Sequence, residues 1–216
     1  LITKSANQGF RHAQFALGNE YYNGINVEKD FTKSFSFFYE AAIKHLPDAQ
    51  YNLGLLHING RGTPIDIARG FTWILKAANN GFALAQHAMG DAVKDGFYFD
   101  KNEKTSVEWY LKSASQNLAK SELAIGNAYS MGSGLIKDEN HALLWWRKAA
   151  LQNYAPAQIK LATALRNGIG GTVNLGNSYF WLLLAGNNGD LSISKSAKDQ
   201  INDIEKIINP EFRISV

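Results

Sequence analysis

The sequence contains no cysteine and no long apolar run. The lack of cysteine excludes disulfides and thiolate metal sites, but it leaves both the cytosol and the bacterial periplasm open as compartments. A transmembrane helix needs a run of roughly 18 or more apolar residues, and none occurs here. We therefore expect no membrane insertion.

The chain also has little excess of one charge over the other. The chain carries 22 lysines and arginines against 19 acidic residues, which gives a net charge of +3. The basic residues are spread along the chain and form no block. Because affinity for phosphate backbones needs clustered cations, nucleic acid is not an expected partner.

The chain begins with neither an initiator methionine nor a signal peptide. It opens inside a pattern, because residues 4–10 match residues 76–82. We expect residues 1–11 to be the end of a preceding repeat. On this interpretation the natural N-terminus, with any targeting signal, lies further upstream.

What the sequence does have is a 36-residue period that runs through residues 12–190 five times without insertion or deletion. An Ala-Gln pair marks each repeat: Ala13-Gln14, Ala49-Gln50, Ala85-Gln86, Ser121-Glu122 in the varied copy, and Ala157-Gln158. A small residue follows five positions later: Gly18, Gly54, Gly90, Gly126 and Ala162. An aromatic residue stands 24 positions after the alanine: Phe37, Trp73, Trp109, Trp145 and Trp181. A fixed period of this length indicates a solenoid, which presents extended binding surfaces.

Each repeat is predicted to form two helices joined by a short turn. In the second repeat, Pro47-Asp48 supplies a helix start with Asp48 as the N-cap, and Gly60 ends that helix. Good N-cap residues also precede every second helix: Asp30, Asp66, Asn102, Asp138 and Asn174. A column rich in Gly and Asn, which tolerate left-handed backbone, ends the second helix: Gly9, His45, Gly81, Asn117, Asn153 and Gly189.

The pattern changes after Gly189. Residues 191–209 carry one apolar stripe and one charged face, and Pro210 stops the helix. The stripe consists of Ala197, Ile201, Ile204 and Ile208. We interpret this segment as a C-terminal capping helix, because a solenoid needs a polar outer face at its end.

The repeated pattern resembles the Sel1-like repeat, a relative of the tetratricopeptide repeat. Residues 13–21 (AQFALGNEY) and 145–150 (WWRKAA) carry the match, and the resemblance covers about residues 1–190. It implies an all-α fold, a right-handed α-solenoid superhelix of helix-turn-helix repeats, here with residues 1–216 as a single solenoid. It also implies a scaffold for protein–protein contacts, often in bacterial envelope, host-interaction or signalling systems. A periplasmic or secreted location is therefore slightly favoured over the cytoplasm.

Several features that suggest a chemical site are better explained as scaffold. The tryptophan column is expected to pack between repeats, because an aromatic residue at one repeat register is a core residue. The glycines of residues 168–171 lack the Lys-Ser/Thr end of a phosphate loop and match turn glycines elsewhere. His57 occupies a column otherwise filled by Tyr, Val and Leu, which predicts a packed histidine.

No catalytic or metal site is predicted. No two of the 5 histidines have an i, i+4 spacing on one helix, and no nucleophile–base arrangement is visible. We expect no metal, no organic cofactor and no enzymatic activity.

The candidate binding site follows by analogy with tetratricopeptide arrays, in which the first helices line a concave groove. Positions two, six and nine after the repeat alanine should point into it, and the last two of these are not constrained by the scaffold. In the first three repeats they are Phe15, Asn19, Tyr22, Tyr51, Leu55, Ile58, His87, Asp91 and Lys94. Tyr22, Leu55 and Ile58 should lie together as apolar anchors. The alternative is that these residues pack against neighbouring repeats.

A second candidate contact is the loop at Phe97 and Tyr98. Tyr98 stands where three other repeats have glycine, and neither aromatic has an evident core role. They form either an exposed contact at the loop edge or part of a loop that folds inward.

Together these features predict a non-catalytic scaffold or adaptor that binds a protein or peptide through its concave groove. One alternative is a bacterial immunity or inhibitor protein that occludes a secreted toxin or effector. The other is a hydrolase or a carbohydrate-binding protein, for which only the aromatic columns argue.

Overall fold

The computed structural model describes residues 2–208, which are all-α, with twelve helices and no strand in that range. The helices are α1 (Ile2–Asn7), α2 (Arg11–Asn23), α3 (Phe31–Ala42), α4 (Pro47–Asn59), α5 (Ile67–Asn79), α6 (Ala83–Asp95), α7 (Glu103–Ala114), α8 (Ala119–Met131), α9 (Glu139–Leu151), α10 (Ala155–Asn167), α11 (Leu175–Gly186) and α12 (Leu191–Ile208). The predicted ten paired helices, leading fragment and terminal helix are confirmed.

The chain divides into two compact units, one ending at Ser113 and the other beginning at Ala114. In unit one, α2 packs on α3 and α4 on α5, while α3 contacts α4 and α5 contacts α6. In unit two, α8 packs on α9 and α10 on α11, while α9 contacts α10 and α11 contacts α12. Both units are thus built from helix pairs that stack on the next pair. That residues 1–216 form a single solenoid stays a prediction.

The caps of the second helices follow the sequence prediction. In all five repeats the side-chain oxygen of the N-cap residue accepts a hydrogen bond from the backbone N–H three residues later, at 2.8–3.0 Å. The prediction for Asp48 was wrong. α4 begins at Pro47 with Leu46 as its N-cap, so Asp48 falls inside the first turn, where its charge suits the helix dipole.

The turns between repeats use left-handed backbone where the sequence predicted it. The column that begins with Gly9 has φ between +58° and +88°, and this includes His45, Asn117 and Asn153. The next backbone N–H then bonds back into the preceding helix, as Leu46 does to the Ala41 carbonyl at 3.3 Å and Phe82 to the Ala77 carbonyl at 3.0 Å. This geometry fixes the angle at which each repeat follows the previous one.

The small residue five positions after the repeat alanine allows the two helices of a repeat to approach closely. A Cβ at Gly90 would lie 2.5 Å from the Tyr110 ring, and one at Gly18 would lie 2.6 Å from the Phe38 ring. Tyr110 and Phe38 are buried, as are the other residues of their column, Ile74, Trp146 and Leu182. The fully buried column is therefore one residue after the tryptophans.

The tryptophan column is only partly buried. Trp73, Trp109 and Trp181 each pack against the core of the preceding repeat, as expected. A lysine three residues on covers the ring in the middle repeats: the Nζ of Lys76 lies 4.2 Å from the Trp73 centroid, and that of Lys112 lies 4.4 Å from the Trp109 centroid. Each of these two tryptophans therefore makes a cation–π contact with a lysine of its own helix.

The glutamine of the repeated pair joins neighbouring repeats. The Nε2 of Gln50 donates to the Ala42 carbonyl at 3.1 Å, and Gln86 and Gln158 make the same bond eight residues back. Glu122 cannot donate in this way when ionised. Its buried carboxylate instead pairs with Lys148 Nζ at 2.9 Å and accepts from Gln152 Nε2 at 2.6 Å.

His57 is packed, as the sequence predicted. Its ring meets Phe35 edge-on at a centroid distance of 5.2 Å, and its buried Nδ1 has no hydrogen-bond partner within the described residues. Burial lowers the pKa of His57 from its ordinary value, the Arg69 charge lowers it further, and Asp66 opposes both.

This environment predicts a loss of stability in mild acid. Because the unfolded chain binds the proton more readily than the folded one, the free energy of unfolding should be highest above about pH 6.5, the ordinary histidine pKa. Below that value it should fall with a limiting slope of about 1.4 kcal/mol per pH unit, until the folded pKa is passed. Urea unfolding at several pH values measures this. His57→Leu, which copies Leu165 in repeat five, should remove that part of the slope; an unchanged slope would contradict the assignment.

Candidate functional site

In unit one, residues of the first helices α2, α4 and α6 line two adjoining pockets. We call this the first-helix face and define it by Asn19, Tyr22, Asn52, Leu55, Ile58 and Asp91. These residues are all partly buried. Two neighbouring pockets open between the helices of this face, and Leu55 lines both.

The first of these, the asparagine pocket, has a volume of about 240 Å³ and lies between α2 and α4. Its lining is Asn19, Tyr22, Asn23, Phe38, Asn52 and Leu55. Asn52 Nδ2 lies 3.5 Å from Asn19 Oδ1 across the pocket. The Tyr22 hydroxyl accepts a hydrogen bond from Arg61, whose guanidinium also lies over the Tyr22 ring, 5.5 Å from its centroid. The pocket therefore combines one apolar side with several amide groups.

The second, the Phe97 pocket, has a volume of about 280 Å³ and lies between α4 and α6. Its lining is Leu55, Ile58, Phe71, Ile74, Ala88, Asp91, Ala92, Asp95 and Phe97. From the sequence, Phe97 was predicted to belong to a second contact, separate from the groove. The structure instead brings it to the same pocket as Leu55 and Ile58, because the loop after α6 folds back toward α5. Phe97 is 53% exposed, and its ring lies 5.7 Å from that of Phe71.

Tyr98 belongs to the same aromatic cluster but does not line the pocket. Its ring stacks on Phe71 at a centroid distance of 5.4 Å, and its other side is exposed. It adopts φ +69° where Gly62, Gly134 and Gly170 have +69° to +72°. A tyrosine in this conformation is strained, so its ring contact offsets a backbone cost.

The expectation that the sixth position is free of scaffold constraints was wrong for two repeats. Asp91 Oδ1 accepts a hydrogen bond from the Tyr110 hydroxyl at 2.5 Å, and Asn127 Oδ1 accepts one from Trp146 Nε1 at 3.0 Å. Burial raises the pKa of Tyr110, and the hydrogen bond and charge of Asp91 raise it further. Where the fully buried column holds a hydrogen-bond donor, as at Tyr110 and Trp146, the sixth position after the repeat alanine supplies the acceptor.

The remaining predicted residues divide between scaffold and rim. Phe15 packs on Phe38 at a centroid distance of 5.7 Å, and Tyr51 packs on Phe82 at 5.4 Å, so position two serves the core. His87 Nε2 lies 3.3 Å from Asp91 Oδ2. Lys94 is exposed and lies beside Asp91 and Asp95.

In unit two the first helices line one pocket, and α12 contacts the first helix of repeat five. A pocket of about 250 Å³ between α8 and α10 is lined by Leu123, Asn127, Ser130, Met131, Pro156 and Lys160. In repeat five, helix α12 contacts α10: Thr163 bonds to Gln200 at 2.9 Å, and Arg166 lies 3.8 Å from Asp203. The capping helix therefore covers the first helix of repeat five within unit two.

Sequence reasoning missed Asn23, Asn52 and Asp95 as pocket residues. Asn23 and Asp95 share the tenth position after the repeat alanine, and Asn52 stands at the third. The available signal was polar variation in these two columns.

Metal and membrane chemistry find no support in the described chain. Within residues 2–208, no group of three or more His, Asp or Glu side chains could hold a metal ion. None of the helices in this range combines the length and apolar character needed to cross a membrane. The absence of a cofactor stays a prediction.

Comparison with solved structures gives close relatives in fold. A protective antigen present in uropathogenic Escherichia coli strains, which displays an SLR fold, is 31% identical with a TM-score of 0.84. The match covers 95% of this chain but only 43% of that protein's length. A Sel1 repeat protein from Oxalobacter formigenes is 28% identical with a TM-score of 0.80, over 86% of this chain and 74% of that one. An immunity protein from Pseudomonas aeruginosa is 19% identical with a TM-score of 0.59, over 91% and 72%, and therefore shares the fold alone.

Comparison with protein families gives one match for each of the five repeats. No individually curated protein matches the chain. The family model described as Sel1 repeat matches residues 11–44, 47–82, 83–118, 119–154 and 155–190, the same five units that the 36-residue period defines. The chain is therefore a member of the Sel1 repeat family.

Proposed function

We propose that this chain is a non-catalytic scaffold that binds a protein partner through the first-helix face of unit one. The observation that carries the proposal is the pair of adjoining pockets that share Leu55. Their volumes of about 240 and 280 Å³ fit single side chains. They fall below the roughly 300–1,000 Å³ of typical small-molecule sites. Neighbouring side-chain pockets of this kind suit the anchor residues of a protein interface.

The family supports the same proposal, since Sel1 repeats generally serve as protein-interaction scaffolds without catalysis. The partly exposed apolar residues at the pockets add to it. Leu55 and Ile58 contact the core around Phe71 yet keep part of their surface in the pockets, and Phe97 extends that apolar surface. Apolar residues that adjoin one another at a pocket, rather than standing singly on the surface, are typical of interaction sites.

A narrower candidate is an immunity protein that occludes a toxin. Two Pseudomonas aeruginosa immunity proteins share the fold, at 19% and 16% identity. This candidate predicts that the chain protects cells from a toxin whose gene adjoins its own. If no such toxin is bound or neutralised, the broader scaffold function is unaffected.

The test compares substitutions of two residues that line the Phe97 pocket, Phe97 and Leu55, with a control at Tyr98. With the wild-type chain as bait in its native cell, mass spectrometry identifies the partner, and calorimetry then gives the Kd. Phe97→Ser should weaken binding more than tenfold, because truncating a true anchor costs about 2 kcal/mol or more. Leu55→Ser should weaken binding similarly, but it also loosens the core it touches, so its unfolding free energy must be measured alongside.

Tyr98→Gly is the matched control. Tyr98 is as exposed as Phe97 and lies beside it, but it does not line the pocket. Glycine fits its left-handed backbone, so the fold should tolerate the change. If Tyr98→Gly abolishes binding and Phe97→Ser does not, the partner uses the loop edge. If neither Phe97→Ser nor Leu55→Ser weakens binding, the partner uses another surface and the proposal fails.

A further inference from the structure

The Phe97 pocket differs from a purely apolar anchor site in its mouth. Its lining includes the buried Phe71 and Ile74, whereas the side chains of Asp91 and Asp95, on α6, are 46% and 62% exposed and stand toward its opening. Asp91 and Asp95 lie on the last turns of α6, which ends at Asp95. The C-terminal end of a helix carries partial negative charge, and this adds to the charge of the two carboxylates.

The structure shows which charges face these carboxylates. Tyr110 holds Asp91 in place through its hydroxyl, and His87 lies beside the other oxygen of Asp91. Lys94 Nζ lies 3.8 Å from Asp91 Oδ1 and 3.4 Å from Asp95 Oδ1. When the His87 ring is neutral, two carboxylates beside one ammonium give this group of side chains a net negative charge. The field therefore favours a cation at the mouth and an apolar group deeper in the pocket.

Lysine and arginine have this combination in one side chain, because an apolar stem carries a charged head. We propose that the Phe97 pocket binds a lysine or arginine side chain of an extended segment of the partner protein, a proposal that rests on the proposed function. The stem lies along Leu55 and Ile58, and the head meets Asp95. The Phe97 ring stabilises the same cation through its π-face.

The asparagine pocket explains how such a segment continues across the face. Asn19, Asn23 and Asn52 present amide groups, which can both donate to and accept from a peptide backbone. Because Leu55 borders both pockets, a chain leaving the Phe97 pocket enters the asparagine pocket directly. Specificity then comes from the basic residue, while the asparagines hold backbone of any sequence.

The experiment selects random peptides displayed on phage against the full chain and measures Kd for synthetic copies of the selected peptides. Selected sequences should be enriched in lysine or arginine beside an apolar residue. Replacing that lysine by norleucine, which keeps the stem and removes the charge, should weaken binding about tenfold, as expected for one charge-assisted hydrogen bond. Binding should also weaken with added salt.

Charge variants of the protein locate the effect. Asp95→Asn should weaken binding about tenfold, whereas Lys94→Gln, which removes the competing cation, should strengthen it. Glu108→Gln removes one exposed carboxylate from α7 outside the pocket and should change little. This inference is overturned, and the proposed function is not, if peptides that depend on Leu55 lack a basic residue. The same holds if their Kd is unchanged by Asp95→Asn. A selection with no peptide that depends on Leu55 or Phe97 overturns both.

Discussion

Deletion of residues 191–216 is expected to destabilise unit two by about 5 kcal/mol and to make the protein associate. Helix α12 fully buries Ala197 and Ile204 and partly buries Ile193 and Ile201 against α10 and α11. Each fully buried isoleucine contributes roughly 1.5–3 kcal/mol, and Thr163 and Arg166 would also lose their partners on α12. Urea unfolding followed by circular dichroism, with size-exclusion chromatography, measures both effects.

A matched pair of point variants separates the loss of packing from the loss of the tail. Ile204 is 0% exposed and Ile207, three residues on, is 54% exposed. Ile204→Ala should cost about 3 kcal/mol, whereas Ile207→Ala should stay within about 0.5 kcal/mol. A truncated chain that remains monomeric with an unchanged melting temperature would show that α12 does not cap the array.

Gly126→Ala is expected to destabilise unit two by about 2 kcal/mol, even though alanine is the better helix former by roughly 1 kcal/mol. A Cβ at residue 126 would lie 2.4 Å from Trp146 Cδ1, 2.6 Å from Trp146 Nε1 and 3.1 Å from the Ala142 carbonyl oxygen. Trp146 is wholly buried and hydrogen-bonded to Asn127, so it cannot move aside cheaply. Unfolding free energies of the purified variant measure the cost.

Repeat five supplies the control for this prediction. There Ala162 stands at the glycine position, and Leu182 takes the place of the tryptophan. The double variant Gly126→Ala/Trp146→Leu copies that pair, so the two changes should couple favourably by more than about 1 kcal/mol in a double-mutant cycle. Additive effects would mean that the clash with Trp146 is not what makes alanine costly.

Local structure was predictable from the sequence to a large degree. The 36-residue period fixed the number of helices, and Asp30, Asp66 and Asp138 marked where second helices begin. These predictions succeeded because a cap or a left-handed turn depends on residues within a few positions of each other. The prediction for Asp48 failed although the sequence held the signal: proline is common at the first helical position, and Pro47 occupies it, so Leu46 is the N-cap.

The candidate site required the tertiary structure. The sequence placed Leu55 and Ile58 on one helix face, but only packing showed that Phe97, from a loop in the next repeat, shares their pocket. Packing also showed that Asp91 serves the buried Tyr110. Sequence periodicity reports which face of a helix is buried, whereas a pocket depends on side chains from three helices and a loop. Their distances are set by the close approach of helix pairs at the glycine column, and that approach is a property of the folded chain.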